Sequence, residues 1–289
     1  MANISISGIQ IEYDLLGAPG APAIALTPGG RFSMECPGVR ELGEALAASG
    51  KRVLLWDRPN CGASDIFFTG DSESALQAQM LTKLIRALDL GPTAIAGGSA
   101  GARVSMLAAA YDPDIVSHLI MWWITGGPLM MIALASNNCS KLALIASLRG
   151  MGAVAQSPDW AEQINRNPGN RDRILAQDRE AFIATMERWA LAYLPSTDFP
   201  MPGLSAEDFA RLRMPVLIFR NGEGDLTHPP ETSERVHELI PHSRLVDPPW
   251  PDDEWNNRFI AAQANGSGHY LGWPMLASDI LGFLDGDHA

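Results

Sequence analysis

Apolar positions in the first half of the chain switch repeatedly between a strand-like and a helix-like pattern. Residues 9–15 and 23–26 are predicted strands, and 52–56 (RVLLW) is a continuous apolar run suited to a strand buried on both faces. Between them Val39, Leu42 and Leu46 share one helical face, and Gly50 follows as a stop. The clearest helix comes next. Ser74 and Gln77 have capping-box spacing, Leu76, Met80, Leu84 and Leu88 recur every four residues, and Gly91-Pro92 closes the segment. A short strand over 93–96, a helix over 100–110 and a buried strand over 116–124 complete this half.

The rhythm then changes. Residues 127–202 predict helices and no strand, with the longest helical run at 171–193. Strand–helix alternation resumes with 215–220 (PVLIFR), a helix over 231–240, a short strand over 244–246 and a final helix over 276–284. Alternation of this kind predicts an α/β fold, a mostly parallel sheet with helices on both faces. The helical interlude is then a cap inserted into it. The expected division is a core of residues 1–126 and 203–289 and a helical cap of 127–202. Ligands in such folds bind at the carboxyl ends of strands, so the loops that follow strands are where chemistry is sought.

The 289 residues suffice for one large domain, and 46% hydrophobic with 19% charged residues is an ordinary globular mix. Lys+Arg 21 against Asp+Glu 33 gives a net charge of −12, which repels nucleic acid and anionic lipid alike. Cys36, Cys61 and Cys139 are too few and too scattered for a disulfide framework or a zinc clip. Reduced thiols and a cytoplasmic location are the expectation, since the first twelve residues show no targeting signal. Residues 115–140 carry no charged side chain and are long enough to span a membrane. Gly126-Gly127-Pro128 interrupts them, so a buried strand, a turn and an apolar helix are expected instead. A homo-oligomer is compatible with the sequence.

Residues 97–101 (GGSAG) fit G-x-S-x-G, directly after a predicted strand and directly before a predicted helix. That is the setting of a nucleophile elbow, with Ser99 on a turn too sharp for flanking side chains. A serine hydroxyl needs a base. Of six histidines, His269 in Gly266-Ser267-Gly268-His269 is the first choice, because a flexible loop before the last helix lets it reach over the sheet. His228, just after the 215–220 strand, is the runner-up. His118, His237, His242 and His288 sit in a strand, a helix, a turn and the C-terminus. Asp225 is the first candidate for the orienting carboxylate and Glu223 the second. The chain order Ser99, Asp225, His269 is that of one hydrolase architecture among three common triad folds.

On these residues, together with the 57–64 loop (DRPNCGAS), the chain resembles the α/β-hydrolase family over nearly its whole length. The resemblance implies an eight-stranded sheet with a cap inserted after the strand ending near Ile124. The family's His-Gly after the third strand is replaced here by Thr27-Pro28. Pro28 has no amide hydrogen, so one oxyanion donor is expected from Gly29 or Gly30 and the other from Ala100. Arg31 is a candidate for holding a substrate carboxylate, with a local structural pair as the alternative; Trp123 and Met130 are candidates for lining an apolar pocket, with plain core as the alternative; Arg103 reads as structural. The stretch 247–265 reads as a rigid surface loop, with Trp250 or Trp255 as a pocket wall in the alternative. No metal motif and no nucleotide loop appears, and no cofactor is expected.

The expected function is a serine hydrolase that cleaves a carboxylic ester or lactone through an acyl-enzyme. A C–C bond hydrolase acting on a vinylogous diketone from aromatic breakdown is the alternative, because such hydrolases are similar in cap and length. A non-catalytic ligand receptor is the reading from a different class. Ser99 in place of Asp argues against haloalkane dehalogenase and epoxide hydrolase chemistry.

Overall fold

The computed structural model describes residues 1–194, 201, 203–266 and 268–286. Eight strands form one sheet: β1 (Ala2–Ile6), β2 (Ile9–Leu16), β3 (Ala23–Thr27), β4 (Arg52–Trp56), β5 (Thr93–Gly98), β6 (Val116–Trp122), β7 (Val216–Phe219) and β8 (Arg244–Val246). Their order is β1-β2-β4-β3-β5-β6-β7-β8. Only β2 runs antiparallel to its neighbours, so the sheet is mostly parallel, as the alternation predicts. The strand β1 was not anticipated. It pairs with β2 through a two-residue turn in which Ser7 and Gly8 both take positive φ, the geometry that matches strand twist.

The helices are α1 (Val39–Ala48), α2 (Glu73–Ala87), α3 (Ala100–Tyr111), α4 (Pro128–Ala135), α5 (Lys141–Ala155), α6 (Ala161–Arg166), α7 (Gly169–Leu175), α8 (Arg179–Leu191), α9 (Ala206–Arg211), α10 (Pro230–Leu239), α11 (Glu254–Asn265) and α12 (Ala277–Leu284). Successive strand residues feed opposite faces. Ile24, Leu26, Val53, Leu55, Ile120 and Phe219 pack with α1 and α12. Ala25, Leu54, Ile95, Met121 and Ile218 pack with α2, α3, α9 and α10. Continuous apolar runs in the central strands follow from burial on both sides.

Three sequence expectations are corrected. The 74–88 helix starts at Glu73, capped by Ser72, whose hydroxyl accepts from the Ala75 amide; Ser74 is free for another contact. The 171–193 run is two helices, because Asp178 caps α8 through the Ala181 amide. The 247–265 stretch is no simple loop: most of it is α11.

Between β6 and β7 the chain makes a helical insertion. Among its described residues, α4, a π-helical turn (Ser136–Ser140), α5, α6, α7 and α8 occur and no strand. It has its own core, including Met131, Leu142, Trp160, Phe182 and Trp189. Asn170 fastens it to the loop after β4 by donating to the Ser64 carbonyl and accepting from the Ile66 amide. Residues 195–200 and 202, at the end of the expected cap segment, lie outside the described residues. Residues 115–140 form β6, a turn and α4, as expected. The helical stretch Pro128–Ala155 is long and apolar enough to cross a membrane by length and composition (mean hydropathy 1.4). It departs from helical geometry at Gly150 and gives Cys139, Leu142 and Ala146 to the insertion's core. All three cysteines are free thiols, and burial pushes each up to about 12.

Candidate active site

The candidate residues meet at the carboxyl ends of β3, β5 and β7. Here β4 lies on one side of β3 and β5 on the other, the topological switch point at which such sheets bind ligands. Ser99 follows β5 directly with φ 57 and ψ −124, a strained conformation for a residue with a side chain. The turn survives because its flanks are bare. A Cβ on Gly97 would lie 2.6 Å from the Gly101 carbonyl carbon, and one on Gly101 would lie 2.0 Å from the Thr27 oxygen. The Ser99 amide is anchored to the Trp122 and Trp123 carbonyls at 3.2 and 3.0 Å. The helix α3 begins at Ala100, so its first amides face the site without intrahelical acceptors.

The imidazole beside Ser99 is that of His228. Its Nε2 is 3.1 Å from Ser99 Oγ, and its Nδ1 is 2.8 Å from Asp225 Oδ2. His228 is 0% exposed and Asp225 2%. The other Asp225 oxygen, Oδ1, accepts from the amides of Thr227 and His228 at 2.8 and 3.0 Å. With Nδ1 donating to the carboxylate, Nε2 is the ring nitrogen left to accept the Ser99 proton. A single loop after β7 therefore supplies both acid and imidazole, three residues apart. Asn221 holds that loop. Its Nδ2 donates to the Ile124 and Pro229 carbonyls and its Oδ1 accepts from the Ile124 amide, each at 2.9 Å. Glu223 is exposed and takes no part.

The expectation of His269 is overturned by α11. Trp255, on that helix, lies edge-on to His228 at 4.7 Å between ring centroids and 5.9 Å from His269. Its indole packs against both rings and so stands between them, with His228 on the Ser99 side. His269 packs instead on Phe32 and Phe259 at 5.1 and 6.0 Å, half-buried, and desolvation lowers its pKa. Ser267, in the same loop, lies outside the described residues. His118, His237 and His242 are bonded to Ser117, Ser243 and the Met214 carbonyl, away from the site, and His288 lies outside the described residues.

Trp123 stacks on His228 at 5.9 Å and 17°, so it walls the imidazole and does not line the cavity at Ser99. Met130 also does not line it; it packs on the insertion's core. The cavity holds about 270 Å³ and is walled by Ser99, Ala100 and Gly30 from the core and by Leu134, Asn138 and Tyr193 from the insertion. Arg31 reaches it already paired. Nε and Nη2 donate to the two Glu73 oxygens at 3.0 and 3.2 Å, and the guanidinium sits 4.4 Å over the Trp160 ring. Burial is the largest single influence and works to lower the Arg31 pKa, but the Glu73 charge and its hydrogen bonds, with smaller contributions from Tyr193 and Cys61, together outweigh it and the net direction is upward.

Sequence reasoning also missed two supports. Arg58, fully buried, donates to the Gly29 and Gly30 carbonyls at 3.0 and 2.8 Å and so pins the loop after β3. The 57–64 loop that carries it is held by Asp57, whose carboxylate accepts from the Met34 and Ala63 amides. Thr125 Oγ1 lies 3.0 Å from Ser99 Oγ, a second partner for the hydroxyl. Its one sequence signal was its place just past the end of β6. Among the described residues no cluster of three His, Cys, Asp or Glu is arranged to hold a metal.

Comparison with known proteins identifies the family and the fold. The family model described as "Alpha/beta hydrolase family" matches residues 24–281. A 2-hydroxy-6-oxononadienedioate/2-hydroxy-6-oxononatrienedioate hydrolase of Dechloromonas aromatica is 29% identical over 135 residues, 46% of this chain and 47% of that protein. The chain thus spans about half the length of the curated relatives of that name. The human serine hydrolase BPHL is 24% identical over 84% of this chain and 77% of its own. The crystal structure of the enol-lactonase from Burkholderia xenovorans LB400 superposes with a TM-score of 0.59 at 18% identity, covering 98% of this chain and 100% of that one. On the family match, which runs from β3 to α12, this chain belongs to the alpha/beta hydrolase family.

Proposed function

We propose that the protein is a serine hydrolase that cleaves a small carboxylic ester or lactone. The observation that carries this is His228, whose two ring nitrogens reach Ser99 Oγ and Asp225 Oδ2 at 3.1 and 2.8 Å inside a buried site. Ser99 Oγ attacks the carbonyl carbon while His228 Nε2 takes its proton. The charge that appears on the carbonyl oxygen falls between the amides of Ala100 and Gly30, the glycine of the Gly29–Gly30 pair that lines the cavity. His228 then protonates the leaving oxygen. In the second half it takes a proton from water, the hydroxide releases the acid from Ser99, and the proton returns to Ser99. Asp225 stabilises the imidazolium formed in each half and fixes its tautomer. The helical insertion acts as a cap that supplies one wall of the cavity.

Cleavage of a C–C bond in a vinylogous diketone is the second reading. It is favoured by the relatives named as 2-hydroxy-6-oxononadienedioate hydrolases. The same serine and histidine would serve it. Hydrolysis of an aryl ester and of a ring-fission dienoate, measured on the wild type and on Ser99→Ala, tests both. The variant is expected to lose several orders of magnitude on whichever substrate the wild type turns over; undiminished turnover rejects the proposal.

A further inference from the structure

Arg103 sits one turn after Ser99 on α3, about 6 Å along the helix axis by helical rise. Side chains on a helix lean toward its N-terminus, and Arg103 lines the same cavity as Ser99 and Ala100. It is 3% exposed. Its Nε donates to Ser74 Oγ at 2.8 Å, the hydroxyl left free when Ser72 capped α2, and its Cζ lies 5.0 Å over the Tyr193 ring. Its Nη1 is buried and has no hydrogen-bond partner.

The other charges around the cavity are cancelled locally. Glu73 takes Arg31 in two hydrogen bonds, and Lys141 takes Asp159 at 2.8 Å. Among the described residues no carboxylate lies within ion-pair distance of Arg103. The cavity that holds the nucleophile therefore keeps one guanidinium without a counter-charge. Folding a cation into such a place without a partner is costly, and a bound anion removes that cost. A planar guanidinium favours a carboxylate.

We propose that Arg103 binds a carboxylate of the substrate, so that the enzyme prefers esters, lactones or vinylogous diketones carrying a carboxylate a few bonds from the scissile carbonyl. This rests on the serine-hydrolase reading above. It assigns to Arg103 the role that the sequence suggested for Arg31, which Glu73 already occupies.

The test compares two aryl esters of one length, 4-nitrophenyl hydrogen glutarate and 4-nitrophenyl pentanoate. The wild type is expected to favour the anionic ester in kcat/KM. In Arg103→Gln the ratio of the two kcat/KM values is expected to fall about 10- to 100-fold, the range of one charge-assisted hydrogen bond, with the change mostly in KM for the anionic ester. Arg103→Lys is expected to recover part of it. An unchanged ratio in Arg103→Gln overturns the proposal. A second measurement avoids dependence on a variant that folds. Glutarate is expected to slow labelling of wild-type Ser99 by a neutral fluorophosphonate, and glutaramide at the same concentration is not. Labelling that glutarate leaves as fast as glutaramide does rejects the Arg103 site alone. A wild type that takes no label rejects the serine-hydrolase reading, and this proposal with it.

Discussion

Replacing His228 by alanine removes both nitrogens that join Ser99 to Asp225, while the amides of Thr227 and His228 still hold the carboxylate. A positioned general base contributes about 10²- to 10⁴-fold, so the loss is about 3–5 kcal/mol of transition-state stabilisation. Asp225, 2% exposed, loses one of three donors, which costs about 1–3 kcal/mol of stability. Because unfolding would imitate lost activity, rates are to be taken per folded molecule, with the folded fraction read from a urea transition. The assay is hydrolysis of 4-nitrophenyl acetate by wild type, His228→Ala and His269→Ala. His269 packs on Phe32 and Trp255, while the Ser99 hydroxyl meets His228 and Thr125, so the His269 alanine variant is expected to change the rate by less than about tenfold, below the range of a lost base. The reverse order, with His269→Ala inactive and His228→Ala near wild type, refutes the assignment.

Desolvation lowers the His269 pKa below its ordinary 6.5, so its contribution to stability is present above that pH and is lost as pH falls through the lowered value. Urea midpoints between pH 7.5 and 5 are expected to fall less steeply in His269→Gln than in the wild type; equal slopes contradict this. Glu73, itself buried, accepts both Arg31 bonds and one from Asn60. Glu73→Gln leaves a buried guanidinium without its counter-charge and is expected to lower stability by about 3–5 kcal/mol, read as a drop in Tm. An unchanged Tm shows that Arg31 finds another partner.

The strand pattern was legible because burial on both faces leaves a run such as Arg52–Trp56 no polar alternative, and each helix on either face repeats at its own period. The elbow was legible for a similar reason: Gly97 and Gly101 have no room for a Cβ. The choice between His269 and His228 was not. It turns on α11, whose Pro-rich approach and acidic first residues read as a surface loop. Trp255 then fills the space between the two imidazoles, a long-range packing fact. In the sequence Arg31 was a candidate for a substrate carboxylate or a local structural pair, and Arg103 read as structural. At the start of α2 the Glu73 carboxylate meets the Arg31 guanidinium as a structural pair, and the Ser74 hydroxyl meets Arg103 without cancelling its charge. Charge alone in the sequence does not say which cation is cancelled.

The most direct test of the central claim is intact mass after treatment with a fluorophosphonate, on the wild type, Ser99→Ala, His228→Ala and His269→Ala. One adduct, mapped to Ser99, is expected on the wild type and on His269→Ala, none on Ser99→Ala, and labelling slowed by orders of magnitude on His228→Ala. Fast labelling of His228→Ala together with an unlabelled but folded His269→Ala would contradict that claim.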